Sequence, residues 1–180
     1  MKQIFITLIL VSIFNVFTLY SQNKKGYAYL TTIKAPNFYK NSPNKENKNS
    51  IVRSMILSES NEFLVATYGK KSSIIAFYKI GSFEKISSLR LTGVLELNNS
   101  YFSNNDSIFY LKCERYSSEY KKINVYTKRY RKINCEKTPR GCVVEEITLN
   151  KIKFYTKDKK YYITRSKKNR NDIIVYEKYE

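Results

Sequence analysis

Ile74-Ile75-Ala76-Phe77-Tyr78-Lys79 returns as Ile123-Asn124-Val125-Tyr126-Thr127-Lys128 and again as Ile173-Ile174-Val175-Tyr176-Glu177-Lys178. The offsets are 49 and 50 residues. β-Branched and aromatic residues dominate each copy, the composition that suits a pleated, half-buried strand. Working outward, two further strand-like runs precede each copy. They are residues 53–58 and 63–68, then 100–103 and 108–113, then 151–156 and 161–165. Five residues separate Ser58 from Phe63, Ser103 from Ile108, and Thr156 from Tyr161. Polar residues fill those gaps: Glu59-Ser60-Asn61-Glu62, Asn104-Asn105-Asp106-Ser107 and Lys157-Asp158-Lys159-Lys160. Asn and Asp suit tight turns because their side chains bond local backbone and tolerate left-handed dihedrals. A fourth strand fits between units at 86–91 and 131–135.

The unit is an antiparallel meander of three or four strands, repeated about three times over residues 51–180 at 45–50 residues. Architecturally it resembles a β-propeller blade. Three blades do not ordinarily close a propeller ring, so a β-sandwich or an up-and-down barrel is the alternative. The expected fold class is all-β, with no helix of ten or more residues after the N-terminal segment. Period-two alternation supports half-buried strands. Ile152 and Phe154 share one face of their strand, and Lys151, Lys153 and Tyr155 the other. Over 122–133, Ile123, Val125 and Ile133 are expected on one face. Lys122, Tyr126, Lys128, Tyr130 and Lys132 are expected on the opposite one.

Residues 1–21 read as a cleaved signal peptide. Lys2 gives a basic start, the run from Ile4 to Leu19 is largely apolar, and Ser21 offers a small residue at a cleavage point. An uncleaved membrane anchor is the alternative. Residues 22–50 then hold a strand from Tyr27 to Ile33, in which Tyr27, Tyr29, Thr31 and Ile33 alternate with Ala28, Leu30 and Thr32. A polar tract follows, with Pro36, Pro43 and five Asn, expected to be a long surface loop. The expected destination is therefore outside the cytosol: periplasmic, cell-surface or secreted.

Residues 22–180 carry 32 basic and 15 acidic side chains, a net charge of +17. Such a polycation attracts anionic polysaccharide, anionic lipid or nucleic acid alike. Export disfavours nucleic acid, and a membrane role needs the N-terminal segment to stay attached. A/T-rich codons would also raise Lys and Tyr without any ligand. No histidine occurs anywhere, which removes the usual general base near neutral pH and the commonest metal ligand. Trp is absent too, although 17 Tyr could partly substitute for it in stacking. With five Gly and three Pro the chain has no phosphate-cradling loop.

Three cysteines make an odd count in an oxidising compartment. Cys135 and Cys142 flank Glu136-Lys137-Thr138-Pro139-Arg140-Gly141, where Pro139 and Gly141 suit a chain reversal. A Cys135–Cys142 disulfide is the favoured pairing, and bridges from Cys113 across neighbouring strands are the rival. Ser-x-x-Lys occurs four times, but the companion elements of penicillin-binding enzymes are missing. Glu145 and Glu146, adjacent in sequence, would point to opposite faces of a strand, which is wrong for a joint site. No catalytic motif and no cofactor or metal site is found.

The expected function is an exported, non-enzymatic binding or adhesion module that engages anionic envelope or extracellular polymers. Lys122, Tyr126, Lys128, Tyr130 and Lys132 are its candidate polyanion-binding residues. Alternate Lys and Tyr on one strand face would place cations about 7 Å apart with rings between them. The alternative is a structural protein that binds a protein partner, or further copies of itself, within a larger β-assembly. A carboxylate-based hydrolase ranks third.

Overall fold

Three tight turns with one hydrogen-bond pattern organise the fold. The computed structural model describes residues 26–36, 51–69, 72–92, 97, 99–112, 118–141 and 152–179. The expected signal peptide, most of the polar tract, Cys113, Cys142, Glu145 and Glu146 lie outside the described residues. At Ser58, Ser103 and Thr156 the amide donates to the carbonyl of Phe63, Ile108 and Tyr161, at 2.9, 2.8 and 3.0 Å. The hydroxyl of each accepts the amide of the same partner, at 3.1, 3.2 and 3.0 Å. Two residues on, Ser60, Asn105 and Asp158 each accept a further amide. Three residues on, Asn61, Asp106 and Lys159 hold left-handed φ of 63°, 56° and 56°. A hydroxyl first and a short acceptor third are what such a turn requires.

Each turn joins the first two strands of a four-stranded antiparallel meander. The first sheet runs β2 (Val52–Leu57), β3 (Phe63–Tyr68), β4 (Ser72–Lys79), β5 (Lys85–Thr92). The second runs β6 (Tyr101–Phe102), β7 (Ile108–Lys112), β8 (Glu119–Asn124), β9 (Tyr130–Asn134), with a 3-10 turn at Cys135–Lys137. The third has β10 (Lys153–Tyr155), β11 (Tyr161–Arg165) and β12 (Ile173–Lys178), and its fourth strand is β1 (Tyr27–Ile33), from the other end of the chain. The fold is all-β, as the period-two reading expected. No sheet closes into a barrel among the described residues, and facing sheets pack as in a sandwich.

The strand echoes are not in structural register. Lys79, Asn124 and Glu177 are the structural equivalents, opposite Phe63, Ile108 and Tyr161. The copy at 123–128 is therefore displaced by four residues and the copy at 173–178 by one. The Asn124 side-chain carbonyl accepts the amides of Tyr126 and Thr127 at 3.1 and 2.8 Å, which folds 125–128 into a turn.

The first sheet lies between the other two, so both of its faces are buried. This explains why all six residues of β3 are buried and why Phe63-Leu64-Val65-Ala66-Thr67-Tyr68 shows no polar alternation. Leu64, Ala66, Tyr68, Ala76 and Tyr78 face Ile163, Ile173 and Val175 of the third sheet. Phe63, Val65, Ile75 and Phe77 face Phe102, Phe109, Leu111 and Ile123 of the second. Fully burying side chains of this size stabilises by about 1.5–3 kcal/mol each. The outer face of the second sheet carries Tyr101, Tyr110, Tyr120 and Cys135.

A β-bulge in β1 decides what its tyrosines do. Tyr29 pairs with Tyr176 and Thr31 with Val175, so Leu30 is the extra residue. The even alternation expected from Tyr27 to Ile33 therefore breaks at Leu30. Tyr27 and Tyr29 point away from the core, while Thr31 and Ile33 turn towards it.

Candidate functional site

The outer face of the third sheet is built from two cross-strand rows. In one, Tyr155, Tyr162, Tyr176 and Tyr29 stand directly opposite one another across all four strands. Their ring centroids are 4.8, 5.7 and 6.4 Å apart along the row. Tyr27 lies over the end of this row, 5.4 Å from Tyr155, with its hydroxyl donating to the Lys159 carbonyl at 2.7 Å. The neighbouring row is Lys153, Thr164, Ile174 and Thr32. Directly opposed aromatic pairs stabilise a sheet and here make a broad, rigid floor.

Above the floor opens a hollow of about 1120 Å³. Tyr162 and Tyr176 form its base, and Lys34, Lys153, Arg165, Lys167, Lys168 and Arg170 surround it. Asp172 is the one carboxylate among the described lining residues. It is almost wholly buried, and it holds Lys34 Nζ at 2.9 Å and Asn169 Nδ2 at 3.0 Å. The hydrogen bond to Asp172 is the main reason that the Lys34 pKa is raised above its ordinary value. The Asp172 backbone also bonds Ser166 and Asn169, which fixes the loop carrying Lys167, Lys168 and Arg170. Arg165 donates to the Val52 carbonyl at 3.0 Å, and Val52 donates to the Arg170 carbonyl at 3.0 Å. Lys34 and Arg165 are thus committed to protein partners. The side chains of Lys153, Lys167, Lys168 and Arg170 have no such partner among the described residues.

The residues expected to bind polyanions are placed differently. Lys122 pairs with Arg131 on the outer face of the second sheet, with its ammonium 5.9 Å from the Tyr110 ring. Tyr130 pairs with Ile123 and Lys132 with Lys121, so both lie on the opposite face, and Lys132 bridges Glu119 at 3.1 Å. Tyr126 and Lys128 belong to the turn between β8 and β9, where Tyr126 packs edge-on against Phe63 at 6.0 Å. The expected common face does not exist, because the turn reverses the strand between Lys122 and Tyr130. Ile133 likewise leaves the face of Ile123 and Val125 and joins Tyr120 and Cys135.

Cys135 is buried at the start of the 3-10 turn. The Thr138 hydroxyl lies 2.8 Å from the Cys135 carbonyl and 3.2 Å from that of Gly141, drawing the ends of the expected reversal together. Among the described residues no three Cys, Asp or Glu side chains gather closely enough to hold a metal ion. No described helix is long and apolar enough to cross a membrane.

No protein-family model matches the sequence, and no curated protein matches it significantly. The basic hollow was visible in the sequence only as Arg165-Ser166-Lys167-Lys168-Asn169-Arg170, four cations in six residues. Its tyrosine row gains Tyr29 only because β1 joins β12, which no local pattern announces.

Proposed function

We propose that this protein is an exported, non-enzymatic binding module that holds an acidic polymer of the cell envelope or extracellular matrix against its third sheet. The observation that carries this reading is the hollow itself: six cations and one engaged carboxylate around a tyrosine base. Its cations are spread over the end of β1, β10 and the loop between β11 and β12 rather than gathered at one point, which favours a length of polymer over a metabolite. Four uncommitted cations supply long-range attraction and multidentate contact. The rigid base limits the ordering cost of binding.

A titration of the protein against a heparin-like sulfated polysaccharide, at low and at physiological salt, tests this. Affinity should fall steeply with salt, since exposed charges are screened beyond about 8 Å at 0.15 M. The triple variant K167E/K168E/R170E should bind at least tenfold more weakly, whereas K122E with K128E, on the second sheet, should change affinity little. Equal losses in the two variants would mean a diffuse cationic film and would overturn the site.

A further inference from the structure

We propose a second, separate binding site, for a small amphipathic carboxylate such as a medium-chain fatty acid, where the beginnings of the three sheets converge. A hollow of about 350 Å³ opens between β2, the approach to β6, and β10. Met55, Leu57, Leu97 and Phe154 make part of it apolar, and Arg140, Lys157 and Glu59 stand among its polar residues. This size lies at the low end of small-molecule pockets, and an apolar body with a few convergent polar groups is their usual make-up.

One of the two cations already holds a carboxylate, and the other stands beside it on the backbone of the same residue. Arg140 Nη2 lies 3.2 Å from Glu59 Oε1, and Lys157 Nζ donates to the Glu59 backbone carbonyl at 2.8 Å. Arg140 is oriented independently of Glu59: its guanidinium sits 4.3 Å from the Tyr101 ring centroid, and its amide donates to the Tyr101 hydroxyl at 3.3 Å. A planar fork held by stacking is suited to receive a carboxylate through two parallel bonds. The Glu59 side chain is 72% exposed and that of Arg140 53% exposed, so their pair is weak and an incoming carboxylate can displace it. With two cations and one carboxylate, the site keeps a net positive charge for the head group while the chain enters the apolar part. Glu59 therefore acts as an internal competitor.

Calorimetric titration of the protein with decanoate below its micellar concentration, with decanol as the uncharged counterpart, tests the site. Saturable one-to-one binding of decanoate is expected, with decanol at least tenfold weaker. Arg140→Gln should weaken decanoate at least tenfold, and Glu59→Gln should tighten it severalfold, a gain that misfolding cannot produce. K167E/K168E/R170E should leave decanoate affinity unchanged, so this site and the polymer site fail or stand separately. Absence of saturable binding, equal affinity for decanol, or unchanged or weakened binding by Glu59→Gln would overturn the proposal.

Discussion

The hydroxyls of Tyr68 and Tyr78 meet at 2.8 Å inside the core between the first and third sheets. Both side chains are essentially inaccessible to water, and each is the other's hydrogen-bond partner. Tyr68→Phe should therefore cost about 1–3 kcal/mol, because it leaves the Tyr78 hydroxyl buried and unmatched. Replacing both by Phe should cost less than the two single changes added together. Urea unfolding of the four proteins of the cycle measures this, and simple additivity would show that the bond contributes nothing.

The same pair makes stability sensitive to alkali. Burial pushes Tyr78 up to about 12 and Tyr68 well above its ordinary value of 10.0. A phenol with a raised folded pKa binds its proton more tightly in the native state. Its contribution is then complete below about pH 10 and is lost as pH rises through 12. Stability should fall over that window, and Tyr68→Phe/Tyr78→Phe should flatten the fall. Absorbance of phenolate near 295 nm should show these two rings ionising only as the protein unfolds.

Two residues share one strained backbone conformation but should respond oppositely to glycine. Lys159 and Phe83 have φ of 56° and 55°. Lys159 is exposed, so Lys159→Gly relieves a left-handed cost of about 1–2 kcal/mol. It also adds the chain entropy of glycine, roughly 0.5–1 kcal/mol, for a net gain near 0.5 kcal/mol. Phe83 packs edge-on against Tyr161 at 5.1 Å, with 7% of its surface exposed. Phe83→Gly should lose about 3 kcal/mol or more, since large-to-small core changes of this kind cost about 3–5 kcal/mol. Thermal or urea unfolding that moved both variants in the same direction would contradict this account.

A Cys135–Cys142 bridge is expected in protein recovered under oxidising conditions, given the Thr138 contacts to both ends of the intervening reversal. Peptide mapping without reduction should recover the two cysteines linked. Removing the bridge by Cys142→Ser should cost about 2–3 kcal/mol for so short a loop. Recovery of Cys135 joined to Cys113 would exclude this pairing.

Local chemistry was legible and long-range pairing was not. The polar, Asn- or Asp-bearing gaps after Ser58, Ser103 and Thr156 marked the three turns, and the structure adds that each turn uses the hydroxyl before it. The strand Tyr27–Ile33 was also readable, but its bulge at Leu30 was not, since an inserted residue looks like any other member of an alternating run. Val125 to Lys128 has strand composition, yet the Asn124 side chain captures two amides and wins. Lys34 reaches the basic hollow only because β1 lies beside β12, a pairing of Ile33 with Ile173 that only the folded chain supplies. Lys122 and Lys132 share a charge pattern, but opposite pleats separate them.

The strand borrowed from the beginning of the chain has a consequence for how the molecule is assembled. Sheet three must wait for its first-made strand to find its last-made one, a closure of high contact order and hence an intrinsically slow event. Yet the Tyr179 amide donates to the Gly26 carbonyl at 3.3 Å, so the two ends of that closure already touch. A circular permutant that joins residue 179 to residue 26 through a short turn, and opens between residues 36 and 51, would make all three sheets plain hairpin meanders. It should keep the native structure and refold faster in stopped-flow experiments than the natural order does. The topology would then have become local throughout, with β1 a neighbour in sequence of the strand it completes.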